Sequence, residues 1–422
     1  MNLMGQAKLF ELGKKIINMC DIDQAEVILM THYDSLTRFA NSYIHQNVSV
    51  TKNKLTLRIV KDKKIAVASC ESFTPDAIKH TIQTAKDILR FQQPNPDFIS
   101  LPEPASYKSI NSFHEETFNT EPDARAEMVK QIISLTDKYD GLRAYGFVNT
   151  GAHEIAIVNS IGVEAYHSTT HAEVSTIILS DTSSGFAMKT SNDVNKLGIK
   201  PIAETAIKKC VDSKNPVEIE PGQYDVVLEP AAVADIFHIF VWLGFNPVAV
   251  EEGRSYINKL GDKIVGDNIT FFDDAYYREA GGIPFDFEGV PKSRVLLCES
   301  GVAKNLVYDS LNANKAGKKS TGHALPPQSA GYGAVPQHVV LTPGDATLEE
   351  LINQVEHGLL ITSFHYINPY LHPKTALMTG MTRHGTFLIE NGKITKPVKN
   401  LRFTESMLKA FSNVKKLTKE CQ

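Results

Sequence analysis

"NVSVTKNKLTLRIVKDKKIAVASCES", residues 47–72, is the stretch that decides the fold class. Apolar and polar residues alternate along it: Val48 and Val50, then Leu55, Leu57 and Ile59. Period two is the mark of a strand with one buried face, not of a helix. Turn signals near Lys52–Asn53 and Lys61–Lys64 divide the run into two or three antiparallel strands. Working outward, residues 3–19 have helical apolar spacing and "AEVILMTHY" (25–33) reads as a strand. Thr74–Pro75 opens a helix, with Thr as N-cap and Pro at the first helical position. Ile78, Ile82, Ala85 and Leu89 form its buried stripe.

A proline-punctuated loop, "QQPNPDFISLPEP" (92–104), leads to a helix from Glu121–Pro122 with Met128, Ile132 and Leu135 as its stripe. Strands follow in "LRAYGFVNT" (142–150), "HEIAIVNS" (153–160) and "VEAYHSTTHAEVSTIILS" (163–180), with a turn at "NSIG", and then a helix across 201–213. The linker "DSKNPVEIEPGQ" (212–223) marks a boundary near 218. It divides the chain into an N-terminal α+β domain, 1–218, with an antiparallel sheet, and a β-rich C-terminal domain, 219–422. The second half opens with a strand at 224–228 and an apolar helix, "DIFHIFVWLGF" (235–245), and closes with a helix near 406–419. Strands in hairpins with helices set between runs of strands define an α+β fold and argue against a doubly wound sheet.

Composition limits the function. The chain has 422 residues, 42% hydrophobic and 22% charged, which is soluble globular composition and long enough for two domains. A net charge of −4 gives no global basic field for nucleic acid or anionic membrane. Five scattered cysteines without a CxxC fit reduced thiols, and no apolar run approaches the ~20 residues that span a bilayer. The first twenty residues place Glu11, Lys14 and Lys15 among the apolar ones, so no signal-peptide core is present. The expectation is a cytoplasmic protein.

Motif chemistry is sparse. His167 and His171 in "HSTTH" have a spacing that chelates zinc from a helix, but in a strand they stand roughly 13 Å apart at about 3.3 Å per residue. They read as a pair on a sheet face. His365 and His372 in "HYINPYLH" lie in a loop-like segment able to fold back on itself, and a lone pair at loose spacing is weak evidence of a site. "STGHALPPQSAGYGAVP" (320–336) lacks a phosphate-loop pattern, no GxSxG occurs, and no cysteine carries a nucleophile signature. Arg254 beside Glu251–Glu252 reads as an internally paired surface charge.

Longer stretches carry a resemblance. "RFANSYIHQN" (38–47), "PNPDFISLPEP" (94–104), "AVEEGRSY" (249–256) with "LGDKIVGDNITFFDD" (260–274), "GVAKNLVYDSLNANKAGKKSTGHA" (301–324), "GLLITSFHYINP" (358–369) and "TGMTRHGTFLIENGKITKPVKNLRFTESML" (379–408) resemble the TldD/PmbA family, also described as modulators of DNA gyrase. The resemblance implies an α+β N-terminal domain, a β-rich C-terminal domain and a dimer. TldD-type members carry HExxxH after a strand ending in "VVL" and are zinc peptidases acting on peptides or unfolded chains. PmbA-type members, also called TldE, lack it and pair with the TldD type.

Aligned on "VVLEPAAVADIFH" (226–238), His238 falls on the first histidine of that motif, Ile239 replaces the glutamate base, and Leu243 replaces the second histidine. Isoleucine cannot accept a proton and leucine offers zinc no lone pair. The family's further cysteine ligand has no match in the surroundings of Cys421, and the resemblance carries the expectation that the chain stops before the family's last strand. The resemblance therefore implies a non-catalytic, PmbA/TldE-like subunit of a TldD-type zinc peptidase complex. No metal is expected on this chain, and zinc is expected on a TldD-type partner. The partner is that paralogue or a second copy, with peptide as substrate and neither nucleic acid nor membrane. His238 is expected to be a packed, neutral helix histidine, and Glu251, Arg254 and Asn368 are the candidates to line a peptide cavity. The alternatives are a peptidase with a non-standard zinc site at His365 or His372, and a regulator of gyrase or a toxin–antitoxin pair.

Overall fold

The computed structural model describes residues 3–277 and 282–419. Helix α1 (Gln6–Cys20) precedes three strands, β1 (Gln24–Ala40), β2 (Tyr43–Lys61) and β3 (Lys64–Cys70). Three helices follow: α2 (Pro75–Phe91), the short α3 (Glu115–Phe118) and α4 (Pro122–Thr136). Strands β4 (Arg143–Asn159), β5 (Glu164–Leu179) and β6 (Ser184–Ser191) then complete one antiparallel sheet of order β3-β2-β1-β4-β5-β6, and α5 (Ile199–Asp212) comes after it.

The period-two reading holds, but the strands are longer than expected. No turn exists at Lys52–Asn53: β2 runs through it, with Lys52 opposite His32 and Asn53 opposite Thr31. Unbroken alternation outweighs the local turn propensity of Asn. The hairpins turn at Asn41–Ser42 and Asp62–Lys63, where both residues of each pair have positive φ (51° and 59°, 50° and 60°). That is the backbone whose twist matches paired strands. Likewise residues 143–159 form one strand where two were expected, because Gly151 stays in register with Asp34 and His171.

One face of the sheet is closed by helices. Ile78, Ile82, Ala85 and Leu89 of α2 pack with Leu9 and Ile16 of α1 over Leu29, Leu55 and Leu57. Helix α4 is rotated from its expected stripe: Arg125, Val129, Ile132 and Thr136 face inward, and Met128 and Leu135 only border the core. The rotation follows from Arg125, a fully buried guanidinium held by Thr120 O (2.8 Å), Thr37 Oγ1 (3.3 Å), Thr150 Oγ1 (3.3 Å) and Asn47 Oδ1 (3.4 Å). A purely apolar stripe overlooks an arginine whose three side-chain nitrogens each donate to neutral acceptors.

The second half contains β7 (Asp225–Leu228), α6 (Pro230–Gly244), α7 (Pro247–Glu251), β8 (Phe271–Asp273), β9 (Val295–Glu299), β10 (Val302–Ala303), α8 (Ser310–Lys315), β11 (Val339–Leu341) and α9 (Leu348–Asn353). It continues through β12 (His357–His372), β13 (Leu377–Glu390), β14 (Lys393–Pro397), β15 (Arg402–Ser406) and α10 (Met407–Ser412). Two sheets result, β10-β9-β8-β11 and β14-β13-β12-β7, with β15 paired to β13. The β7–β12 pairing is parallel. The architecture is α+β.

Helix α6 is buried on one side in the largest apolar cluster, where Phe237, Phe240 and Phe245 meet Tyr256, Phe271, Leu297 and Phe411. The closing helix expected across 406–419 stops at Ser412. The residues beyond form backbone bonds elsewhere, Gly344 N to Thr418 O and Lys419 N to Ala346 O, which a helix would deny them. Among the described residues no helix is long and apolar enough to cross a membrane.

The uncovered sheet face, carrying Met30, His32, Asp34 and Leu36 of β1, is capped at one end by the second half of the chain. There Phe285 packs on Ile28, Ile155 and Ile157, and Arg58 pairs with Glu288. Beyond that contact lies a cavity of about 160 Å³ between Met30, His32 and Lys54 of the sheet and Phe287, Pro326 and Gln328 of the covering loops.

Candidate functional site

Helix α6 is the first place to test for peptidase chemistry. Its start is set by Glu229 and Pro230 after β7, and its last turn is closed by the bond from Phe245 N to Val241 O (3.0 Å). In between it is an uninterrupted α-helix. At 3.6 residues per turn, positions five apart point about 140° away from each other. His238 is accordingly exposed, whereas Ile239 and Leu243 are half-buried against the aromatic cluster. This corrects the expectation of a packed histidine: the apolar neighbours occupy the inward faces and leave His238 outside. The family's zinc does not fit here. One imidazole on the surface, an isoleucine and a leucine directed at the core supply neither a ligand set nor a base.

The other sequence candidates are exposed surface groups. Arg254 Nε donates to Glu252 Oε2 (2.6 Å), so the expected internal pairing is present, and Glu251 lies 3.8 Å from Lys315 Nζ. Asn368 is exposed on the outer half of β12, its Oδ1 accepting from Tyr370 N (3.0 Å). His365 and His372 belong to that same extended strand, which does not fold back. Two register shifts separate them along the strand, and His372 Nδ1 contacts Thr375 Oγ1 (2.9 Å). The thiols of Cys20, Cys70, Cys210 and Cys298 are free, and Cys421 lies outside the described residues.

The sequence reading missed the constellation that the sheet does assemble. Among the described residues one group of histidine and carboxylate side chains could hold a metal ion: Asp34 of β1, His153 of β4 and His171 of β5, with one ligand atom of each within 4.8 Å of the others. Cross-strand register makes it. Asp34 stands opposite Gly151 and Gly151 opposite His171, so the glycine lies between them, while His153 is two residues along β4 and opposite His32. A Cβ on Gly151 would lie 2.4 Å from His171 Cε1 and 2.1 Å from Tyr33 O, so only glycine leaves the imidazole its place.

His171 Nε2 lies 3.1 Å from Asp34 Oδ1, and the rings of His153 and His171 stack at 4.5 Å, 11° from parallel. His32 Nδ1 contacts His153 Nδ1 at 2.6 Å. Burial, with the neighbouring His171 and His32 adding to it, pushes His153 down to about 4, so its ring is neutral at pH 7. The hydrogen bond from His171 holds the Asp34 carboxyl below its usual range. Two buried side-chain atoms beside this group have no partner, His171 Nδ1 and Asn149 Oδ1. The pair in "HSTTH" therefore does not act together: His167 turns to Ser112 Oγ (2.9 Å), and His171 joins His153 on the adjacent strand and Asp34 on the strand beyond it. Only the register of "THYD" (31–34) against "GAHE" (151–154) could have signalled it.

Comparison with known proteins places this chain in a family. Residues 221–422 match the PmbA/TldA metallopeptidase C-terminal domain and residues 25–89 match PmbA/TldA metallopeptidase domain 1. An uncharacterized protein of Methanocaldococcus jannaschii is 23% identical over 97% of this chain and 93% of its own length. Metalloprotease PmbA of Escherichia coli O157:H7 is 21% identical over 85% of this chain and 79% of its own. Relatives named as metalloproteases of the TldD kind are matched over about half their length, 49% for the homologue of Buchnera aphidicola. The crystal structure of TldE from Thermococcus kodakarensis has the same fold, with a TM-score of 0.87 at 22% identity over 98% of this chain and 94% of that one. The chain belongs to the PmbA/TldD metallopeptidase family.

Proposed function

We propose that this chain is the non-catalytic, PmbA/TldE-type subunit of a two-chain zinc metallopeptidase, working in the cytoplasm beside a TldD-type partner that carries the peptidase metal. The observation that supports it is the α6 triplet: His238 outward, Ile239 and Leu243 against the core. A zinc peptidase needs about three ligands, an open position for water and a base, and this helix offers one imidazole. The subunit's contribution is to hold an extended peptide or unfolded chain within a shared dimer cavity. Strand edges supply backbone hydrogen bonds in that mode of recognition. Glu251, Arg254 and Asn368 remain its candidate contacts, all three exposed.

The test is reconstitution. The purified chain, with Zn²⁺ added, is incubated with a fluorescently labelled unfolded polypeptide, alone and with the TldD-type paralogue of the same organism. Cleavage is expected only in the mixture and is lost when the paralogue's HExxxH glutamate is changed to Gln. Zinc-dependent cleavage by this chain alone overturns the reading.

A further inference from the structure

The geometry points to a divalent transition-metal site on the N-terminal sheet, with Asp34, His153 and His171 as ligands and His32 as the residue that orients His153. It lies on different elements from α6 and stands independently of the subunit role proposed above.

The first argument is distance. Two ligands of one tetrahedral ion bound at about 2.0–2.1 Å are about 3.3 Å apart, and wider angles separate them further. The 3.1 Å between His171 Nε2 and Asp34 Oδ1 is close to that spacing, and the three ligand atoms lie within 4.8 Å of one another. Three protein ligands leave a fourth position, and the sheet face is open there: 44% of the Asp34 side chain and 26% of His171 are accessible.

The second argument is hydrogen-bond accounting. If His171 donates from Nε2 to Asp34, its Nδ1 is a buried lone pair with no donor. If the proton sits on Nδ1, that N–H is buried without an acceptor and the Nε2 lone pair faces a carboxylate. Either tautomer leaves an unmet buried group, which is rare in folded proteins. With the proton on Nδ1, a cation between the ring and the carboxylate takes up the Nε2 lone pair and removes its repulsion from Asp34. Asn149 Oδ1, also buried and unpaired, belongs to the same neighbourhood, as Asn149 Nδ2 lies 3.4 Å from His171 Nε2.

The third argument is the surrounding shell. Metal-binding histidines usually have their second ring nitrogen held by another group, which fixes tautomer and orientation. His32 takes Nδ1 of His153 and leaves Nε2 for an ion. Gly151 supplies the missing volume below His171. Two imidazoles and one carboxylate favour a borderline ion such as Zn²⁺, Co²⁺ or Ni²⁺ over Mg²⁺ or Ca²⁺, which prefer oxygen. His32 also lines the cavity against Phe287 and Pro326, so the ion would sit at the edge of a space closed by the second half of the chain.

The experiment is titration of the metal-stripped full chain with Zn²⁺ by equilibrium dialysis, paired with Co²⁺ absorbance as a report of coordination. The expected result is one ion per chain at this site, lost in Asp34→Asn, His153→Ala and His171→Ala. His32→Gln should weaken binding by about 10- to 100-fold, as loss of an orienting partner does. His238→Ala and His365→Ala/His372→Ala should leave binding unchanged. Circular dichroism on each variant separates loss of a ligand from loss of fold, and His171→Asn, isosteric over part of the ring, stands in for any alanine variant that does not fold. No binding by the wild-type chain, or one ion retained in the His153→Ala and His171→Ala variants, overturns the proposal. Neither outcome bears on whether the chain cleaves peptides with a partner.

Discussion

Arg58 Nη1 lies 3.0 Å from Glu288 Oε1, joining the middle of the N-terminal sheet to a loop of the second half of the chain. Its Nη2 bonds Glu26 Oε2 at 2.8 Å, and all three side chains are buried. Glu288 Oε2 in turn accepts from Ser310 N (3.0 Å), the first residue of α8. One guanidinium thus balances two carboxylates where the halves meet. Arg58→Met removes the only positive group of the trio and is expected to destabilise by about 3–5 kcal/mol, the cost of a buried charge left unpaired. Replacing Glu26, Arg58 and Glu288 together by apolar residues of similar volume should cost much less. Urea denaturation measures both. A loss below about 1 kcal/mol in Arg58→Met contradicts this account.

Buried acids and buried histidines drive the pH dependence in opposite directions. Burial raises Glu26 to about 7, against the pull of Arg58, and raises Asp286 to about 7. Their folded forms keep protons that the unfolded chain has lost, so their contribution is complete below pH ~4 and is lost as pH rises through 7. Burial lowers His153, His167, His338 and His384 to about 4. Their unfolded forms bind protons below pH ~6.5 that the folded forms refuse, so they favour folding as pH rises from 4 to 6.5. Among the most strongly shifted groups four histidines outweigh two acids, while His32, lowered by burial, and Glu173, Asp235 and Asp309, raised by it, add smaller and opposing contributions. The urea midpoint should therefore rise between pH 4.5 and 6.5, and Glu26→Gln should steepen that rise. A profile that is flat or falls over this interval refutes the balance.

Gly244, the last residue of α6, is in close contact with Tyr256. A Cβ there would stand 2.1 Å from Tyr256 Cζ. Tyr256 cannot retreat cheaply, because its hydroxyl donates to Phe240 O (2.9 Å) and its ring stacks on Phe240 at 4.6 Å. Gly244→Ala should cost about 1–3 kcal/mol by overpacking. Gly331→Ala, where a Cβ meets nothing within 4 Å, should stay within about 0.5 kcal/mol. Thermal melts of the two variants decide the point, and equal effects would remove the packing explanation.

Restoring the letters of the family motif should not restore a peptidase. Ile239→Glu with Leu243→His places a carboxylate and an imidazole on the half-buried side of α6 while His238 remains outside. The expected outcome is lower stability and no zinc-dependent cleavage by the isolated chain. Gained cleavage, lost again on His238→Ala, would mean that the helix can reshape to bring those residues together.

The sequence disclosed the fold more readily than the site. Alternation in β2 and β5 and the capping pattern of α2 are local signals, and they translated directly into elements. The turn expected at Lys52–Asn53 and the division of β4 failed for a tertiary reason: both segments are held straight by neighbouring strands. His238 was expected inside because its neighbours are apolar, yet a helix has an outer face even in an apolar run. The Asp34–His153–His171 group was invisible because register, not spacing, brings it together. Its central residue, Gly151, carries no chemistry that a motif search would select.

The parallel pairing of β7 with β12 has a consequence for synthesis. A chain leaving the ribosome has all six strands of its first sheet once Ser191 has emerged. Strand β7 follows soon afterwards, but its partner segment, Gly358–Ile361, is made only when most of the protein is finished. During that interval Phe237, Phe240 and Phe245 of α6 lack Phe271, then Leu297, and last of all Phe411. Long-range pairing of this kind is slow and leaves apolar surface uncovered in the meantime. The newborn chain thus carries a fully paired front sheet and a waiting back half, and the helix at the degenerate motif is a segment in need of a chaperone's cover.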